Sequence, residues 1–108
     1  MNLRSTENPF GLLKTQVDVH GRHFPHISEE KEEMVFGDAR GDVHPAFTLL
    51  HTVFLRNHNH LAKKLIQQHP DWTDEKLFQE SRKINVAILQ HITYTEYLDA
   101  LLGKYFVM

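Results

Sequence analysis

The sequence predicts an all-α fold in which a loop-rich segment over residues 1–36 precedes two long helices. Two observations support this prediction. Pro45 opens a run in which apolar residues recur every three or four positions, and Thr73 opens a second run of the same kind. Pro70 lies between the runs and separates them. The two helices are therefore expected to form an antiparallel pair joined by a short turn.

The first helix is expected over residues 45–68. Pro45 suits its first position, because the fixed φ of proline matches the helix and the missing N–H would have no partner there. One face carries the apolar residues Phe47, Leu50, Phe54, Leu61 and Leu65. This spacing predicts that the face is buried, with the contact between the helices passing through Phe54 and Leu61.

The second helix is expected over residues 74–102. Thr73 is a good N-cap, Asp74 and Glu75 suit the positive end of the helix dipole, and Gly103 suits the position just after the helix. After residue 84 the helix is apolar around most of its circumference. A helix of that kind is normally surrounded by other elements, so the pair resembles part of a larger core.

Residues 1–36 contain no element long enough to assign. Residues 19–22 have the composition of a turn, and residues 29–33 form an acidic, solvated patch. Short extended pieces around Phe10 and Val17 could dock on the helices. We therefore divide the chain into a loop-rich segment, 1–36, and a two-helix segment with its preceding loop, 37–108.

Composition argues against several classes of protein. The 108 residues are 41% hydrophobic and 24% charged, as in an ordinary globular domain. A net charge of −2 creates no positive field for nucleic acid. No run of about 18 apolar residues could span a membrane, and the first residues lack the apolar core of a signal peptide. Because cysteine is absent, no internal disulfide can form.

Ordered motifs over residues 37–103 are more specific than the apolar periodicity. A generic amphipathic hairpin would explain their aliphatic positions but not the polar ones. In chain order the motifs are Gly37-Asp38-Ala39-Arg40, His51-Thr52, Leu55-Arg56, His58-Asn59, Leu61-Ala62, His69-Pro70-Asp71-Trp72, Asp74-Glu75, Leu77-Phe78-Gln79-Glu80, Arg82-Lys83-Ile84, Gln90, Ile92-Thr93-Tyr94, Glu96-Tyr97-Leu98 and Leu102-Gly103. Together these motifs resemble the animal haem peroxidases, and a weaker similarity extends back to Phe10-Gly11-Leu12-Leu13-Lys14.

The resemblance implies that Arg40 is the catalytic distal arginine, which helps to polarise the O–O bond of hydrogen peroxide. The competing interpretation is that Arg40 is a surface residue or pairs with Asp38 or Asp42. Arg40-Gly41-Asp42 also spells an adhesion-type tripeptide, a motif short enough to arise by chance.

Several positions depart from the family pattern. Val43 stands where myeloperoxidase-like members have a glutamate that forms an ester to the haem, and His44 stands where they have a methionine. Neither covalent link is expected. Asn57 replaces a common glutamate, and His60 replaces a common arginine. His58 and Asn59 are expected to hold the helices together rather than to touch substrate.

The resemblance implies a haem cofactor, hydrogen peroxide and a reducing substrate for the complete domain. The distal histidine, a calcium-ligating aspartate and the proximal histidine match no position in this chain. The expected partner is thus the rest of a peroxidase domain, or another chain that covers the apolar helices. The family is typically extracellular or in the secretory pathway.

Two other interpretations remain open. His20, His23 and His26 are spaced by threes and His44, His51 and His58 by sevens, which raises the possibility of a metal-binding module. Residues seven apart on a helix lie about 10 Å apart, too far to share one ion. A non-catalytic helical fragment that acts only by binding cannot be separated by sequence from a piece of an active enzyme.

Overall fold

Two long helices and a short hairpin make up most of the described structure. In the computed structural model, residues 4–5, 10–17, 20–21, 23–25 and 35–103 are described. The elements in chain order are β1 (Thr15–Val17), β2 (His23–Pro25), a 3₁₀ turn (Ala39–Asp42), α1 (Pro45–Gln68), α2 (Asp74–Ile92), a π-helix (Thr93–Tyr97) and α3 (Leu98–Leu102). The prediction of a mainly helical fold with two long helices is confirmed.

The ends of α1 follow the local signals in the sequence. Pro45 is its first residue, as predicted, and the helix runs to Gln68. The N-cap is His44, whose Nδ1 accepts a hydrogen bond from the N–H of Ala46 at 3.1 Å. A histidine is an unusual cap, and its role here was not anticipated from sequence.

The second helical stretch covers the predicted span but is not uniform. Thr73 caps α2 through a 3.3 Å bond from the N–H of Lys76. Over Thr93–Tyr97 the helix widens, and the N–H of Leu98 bonds the carbonyl of Thr93, five residues back. The hydroxyls of Thr93 and Thr95 each donate at 2.8 Å to a carbonyl four residues earlier, which weakens the regular helical bonds in this region.

The loop-rich segment contains a small hairpin, whose first strand includes the extended piece expected around Val17 and whose strand pairing the sequence did not predict. β1 and β2 pair antiparallel, with Gln16 opposite Phe24. Gly21, between the strands, has a φ of +74°, as expected for the turn predicted there. The predicted acidic patch at 29–33 lies outside the described residues.

The N-terminal segment docks across the helical pair through side chains of α1. Asn59 bonds Leu13 twice, accepting from its N–H at 2.8 Å and donating to its carbonyl at 3.2 Å. His58 Nε2 lies 2.8 Å from the carbonyl of Gly11, to which it donates as the protonated nitrogen. His58 and Asn59 therefore bind the N-terminal segment to α1. His58 also packs against Phe78 of α2, with ring centres 5.2 Å apart, as expected for a residue that holds the helices together, whereas the described bonds of Asn59 go to the N-terminal segment instead.

Acidic residues at the start of α2 bind the same segment. The N–H of Gly11 donates to Asp74 at 2.7 Å. Arg4 forms ion pairs with Asp74 and Glu75, and its guanidinium lies 4.4 Å from the ring centre of Phe78. The first turn of α2 thus supplies negative charge both to its own dipole and to the docked segment.

The core lies where α1, α2 and the N-terminal segment meet. The prediction of a buried apolar face on α1 is wrong for the first half of the helix. Ala62 and Leu77 are fully buried, whereas Phe47 and Leu50 are 49% and 55% exposed. The reason is geometric, because α2 and the N-terminal segment cover only one side of α1. Phe54, Leu61 and Leu65 are half-buried.

A pair of asparagines joins the helices near Phe54, one of the two residues through which the helix contact is predicted to pass. Asn57 Nδ2 donates to Asn85 Oδ1 at 2.8 Å, and Asn85 Nδ2 donates to the carbonyl of Phe54 at 3.0 Å. Asn57, one of the departures from the family pattern, therefore makes its own link to α2.

Within the described residues, no helix combines the length and apolar character that a bilayer crossing requires.

Candidate functional site

Arg40 lies in the 3₁₀ turn that leads into α1. Asp38 is the N-cap of this turn, with extended backbone, and its Oδ1 accepts from the N–H of Arg40 at 2.9 Å. The turn is tied to α1 because the hydroxyl of Thr48 donates to the carbonyl of Gly41 at 3.1 Å. The position of Arg40 relative to α1 is therefore set by short-range hydrogen bonds.

The side chain of Arg40 forms a bidentate ion pair with Asp38. Nε–H donates to Oδ1 at 2.9 Å and Nη2–H donates to Oδ2 at 2.6 Å. These hydrogen bonds hold the pKa of Asp38 well below its usual range and raise that of Arg40. The Arg40 side chain is 84% exposed, so this geometry matches the competing interpretation noted above, in which the arginine pairs at the surface.

Gly41 makes the turn tight. It is buried, and a Cβ at this position would lie 2.7 Å from ring atoms of Phe36. Of the Arg40-Gly41-Asp42 tripeptide, the glycine is therefore packed under Phe36, whereas Arg40 and Asp42 are exposed and Arg40 is bound to Asp38.

Exposed apolar side chains follow the turn in sequence. Val43, where the glutamate of the family pattern is missing, is 68% exposed and has no carboxylate to offer. Phe47 and Leu50 follow on α1, and both are about half exposed. The turn that carries the charged pair is therefore followed by apolar residues that α2 and the N-terminal segment leave exposed.

A separate cavity of about 400 Å³ lies between the N-terminal segment and the helices. Its walls include Phe36, Phe54, Leu55, Phe78 and Val86, with polar groups from His51, His58, Arg82 and Asn85. Arg40 does not line this cavity. The structure therefore does not bring the predicted catalytic residue and the apolar cavity together into one site.

The histidines proposed as an alternative metal site have other roles where they are described. Nδ1 of His51 bonds the carbonyl of Phe47 at 2.8 Å, while His44 caps α1 and His58 bonds Gly11. In the described ranges, no three residues of the His, Cys, Asp or Glu type come together as metal ligands. The side chains of His23 and His26 lie outside the described residues.

Comparison with known proteins decides the family. The sequence profile of the family described as animal haem peroxidase matches residues 1–108, the whole chain. The chain belongs to the animal haem peroxidases. The resemblance inferred from the motifs is confirmed.

Individual relatives support the same assignment. Peroxinectin A from Dictyostelium discoideum is 35% identical over 96% of the chain and 22% of its own length. Human lactoperoxidase is 34% identical over 95% of the chain and 17% of its own length. Among solved structures, peroxidase A from Dictyostelium discoideum superposes with a TM-score of 0.75 at 33% identity, covering 83% of this chain and 20% of that one.

This animal haem peroxidase chain thus spans about a fifth of the length of these relatives. Its described residues do not by themselves fit a haem. Arg40 is largely exposed and does not line the cavity, and the described side chains of His44, His51 and His58 are each hydrogen-bonded to the backbone. A haem held beside Arg40 would require groups from outside the described residues.

Proposed function

We propose that this chain supplies the peroxide-binding arginine of an animal haem peroxidase domain. The whole domain would oxidise a reducing substrate with hydrogen peroxide. The remaining helices, the haem contacts and the histidines of the family would come from outside these residues, from the rest of a peroxidase domain or from a partner chain. Arg40 is the residue proposed as catalytic.

The observation that carries this proposal is the presentation of Arg40 in a tight turn at the start of α1. Its guanidinium is anchored on one edge by Asp38, and its side chain is otherwise 84% exposed. A guanidinium remains protonated at any relevant pH and can donate to two oxygens at once. Aimed at a bound peroxide, it would stabilise negative charge as it develops on the departing oxygen.

The uncovered apolar surface supports the same proposal. Exposed apolar side chains occur on both helical stretches, and contiguous surfaces of this kind usually mark contacts with other protein elements. They are Phe47, Leu49, Leu50, Val53, Val86, Ile88, Leu89, Ile92, Tyr94, Tyr97, Leu101 and Leu102. In a complete peroxidase domain these side chains would pack against further helices.

The family also implies an extracellular or secretory location for the complete protein, which we include in the proposal.

A chimera tests the proposal. The segment of human lactoperoxidase that aligns with this chain would be replaced by the chain, and haem content would be measured by absorbance. Arg40→Ala should slow the reaction with peroxide by about 100-fold or more, as loss of a preorganised donor does elsewhere. Arg40→Lys, which keeps the charge but loses the planar fork, should restore only part of the rate. Wild-type rates from an Arg40→Ala chimera with full haem content would refute the assignment.

The isolated chain provides the second part of the test. Mixed with hemin, the 108-residue polypeptide should oxidise a chromogenic donor no faster than hemin on a histidine-rich control protein, because catalytic groups that act together lose most of their rate when one is missing. Arg40→Ala should change nothing in this assay. Arg40-dependent turnover by the short chain would show that one of its own histidines ligates iron.

The exposed apolar helices also support a second candidate, a non-catalytic fragment that acts by binding. The chimera separates the two candidates. A binding fragment would allow the chimera to fold and take up haem without any dependence of the peroxide reaction on Arg40.

A further inference from the structure

Asp38 and Arg40 are joined more specifically than a surface ion pair requires. The carboxylate makes three hydrogen bonds to one residue, from the backbone N–H, from Nε–H and from Nη2–H. We propose that Asp38 is the positioning residue that sets the direction of Arg40 for reaction with peroxide. This inference rests on the proposed function, since it assigns Arg40 the peroxide-binding role.

The geometry of the pair leaves a defined edge of the guanidinium available. An arginine side chain carries five N–H groups in a rigid fork. Asp38 accepts from Nε–H and one Nη2–H, and within the described part of the chain the other three have no partner. Two of these, one on Nη1 and one on Nη2, point in parallel from the end of the fork. A parallel pair of donors suits two adjacent oxygens, as in a peroxide.

Asp38 also connects the direction of the side chain to the backbone of the turn. Oδ1 accepts from both the backbone N–H and the Nε–H of Arg40, each at 2.9 Å. Rotation of the arginine away from this geometry would break the side-chain bonds, while movement of the turn would break the backbone bond. Because Thr48 and Phe36 hold Gly41 in place, the guanidinium direction is defined relative to α1.

The surroundings explain why a counter-ion is needed. Val43, Phe47 and Leu50 follow the turn in sequence and expose apolar surface. If further helices cover that surface, Arg40 becomes a charge in a poorly solvated place, and a buried charge is tolerated only when it is paired and hydrogen-bonded. Asp38 provides this pairing without occupying the end of the fork.

The first test uses the lactoperoxidase chimera and a double-mutant cycle. Asp38→Asn should lower the rate constant for the reaction with peroxide by about 10-fold or more, since small errors in the placement of a catalytic group are costly. The KM for the reducing substrate and the haem content should not change. In the Arg40→Ala background, Asp38→Asn should have no further effect, because Asp38 acts only through Arg40.

Asp42→Asn is the matched control. It removes the other carboxylate of the turn, whose described hydrogen bond is from Thr48. It should slow the peroxide reaction far less than Asp38→Asn. Equal losses from the two substitutions would show a general effect of charge in the turn and would overturn the positioning role. The positioning role would also be overturned if the Asp38→Asn chimera reacted with peroxide as fast as the parent chimera, or if Asp38→Asn slowed the reaction equally in the Arg40→Ala background.

The second test needs neither haem nor turnover. In ¹⁵N-labelled 108-residue chain, the Nε–H signal of Arg40 is assigned by its loss in Arg40→Lys. It should be shifted and slow to exchange in the parent chain, and Asp38→Asn should move it to the position and exchange rate of free arginine. An Arg40 signal unaffected by Asp38→Asn would refute the proposal even if the chimera failed to bind haem.

The peroxide-binding role of Arg40 and the positioning role of Asp38 can be refuted separately. If Arg40→Ala leaves the chimera fully active, the peroxide-binding role of Arg40 is refuted, and the positioning role of Asp38 is refuted with it. If Arg40→Ala slows the reaction and Asp38→Asn does not, the proposed function stands and only the role of Asp38 is wrong.

Discussion

Replacing Gly11 by alanine should detach the N-terminal segment from the helices. Gly11 has a φ of +71° and is buried against the start of α2. A Cβ at this position would lie 2.5 Å from the backbone nitrogen of Phe78 and 2.7 Å from the carbonyl carbon of Leu77. These are backbone atoms, so rotation of a side chain cannot relieve the overlap.

The expected cost has two parts. An L-residue in the left-handed region costs about 1–2 kcal/mol relative to the right-handed region. Forcing an extra methyl group into a packed contact costs about 1–3 kcal/mol more. Gly11→Ala should therefore destabilise the docked segment by about 2–5 kcal/mol.

Gly21→Ala is the matched control. Gly21 has nearly the same φ, +74°, but a Cβ there would have no atom within 4 Å. It should show only the conformational cost of about 1–2 kcal/mol. Alanine also restricts the unfolded chain, which offsets about 0.4–1 kcal/mol, but this offset applies to both substitutions and cancels in their difference. The difference between the two substitutions measures the overlap with Leu77 and Phe78.

Hydrogen exchange at the amide of Leu13 provides the readout, because this N–H is bonded to Asn59 only while the segment is docked. Since each 1.4 kcal/mol corresponds to about tenfold in an equilibrium, Gly11→Ala should speed this exchange by at least about 30-fold. Equal rates in Gly11→Ala and Gly21→Ala would show that the close approach at α2 does not hold the segment.

Three further predictions concern single side chains. Burial lowers the pKa of His58, so as the pH falls the unfolded chain takes up a proton before the folded chain does, and the free energy of unfolding should be highest above pH ~6.5 and fall below it. Urea titrations at several pH values should show a smaller decline in the free energy of unfolding for His58→Gln than for the parent chain. In the lactoperoxidase chimera, acid–acetone should extract more haem from the parent than from Val43→Glu, because valine cannot form an ester; full extraction from both would argue against a haem link at this position. Removing the N-cap bond in Thr73→Ala should cost about 1 kcal/mol in thermal unfolding followed by circular dichroism, and an unchanged transition would mean that the cap contributes nothing.

The sequence determined the features that depend on residues close together in the chain. The start of α1 at Pro45, the cap at Thr73 and the helix end before Gly103 each follow from local backbone chemistry, and the structure has all three. The polar motifs along the helices were sufficient to indicate the family, because they are arranged in a characteristic order that a generic helical pair does not need.

Only the tertiary structure decided which surfaces are buried and which groups meet. Periodicity marks an apolar face on α1, but it cannot show that the covering elements reach Ala62 and leave Phe47 exposed. Nor could it show that Gly11 fits under Leu77, since the two lie far apart in sequence. Asp38 was one of two acids that could pair with Arg40, and the direction of its bonds depends on the 3₁₀ turn that Gly41 permits by packing beneath Phe36. Burial depends on contacts between distant segments and is fixed by packing rather than by local preference. The Asp38–Arg40 pair is local, but the choice between the two acids depends on the backbone conformation of the turn, which residue identity alone does not specify.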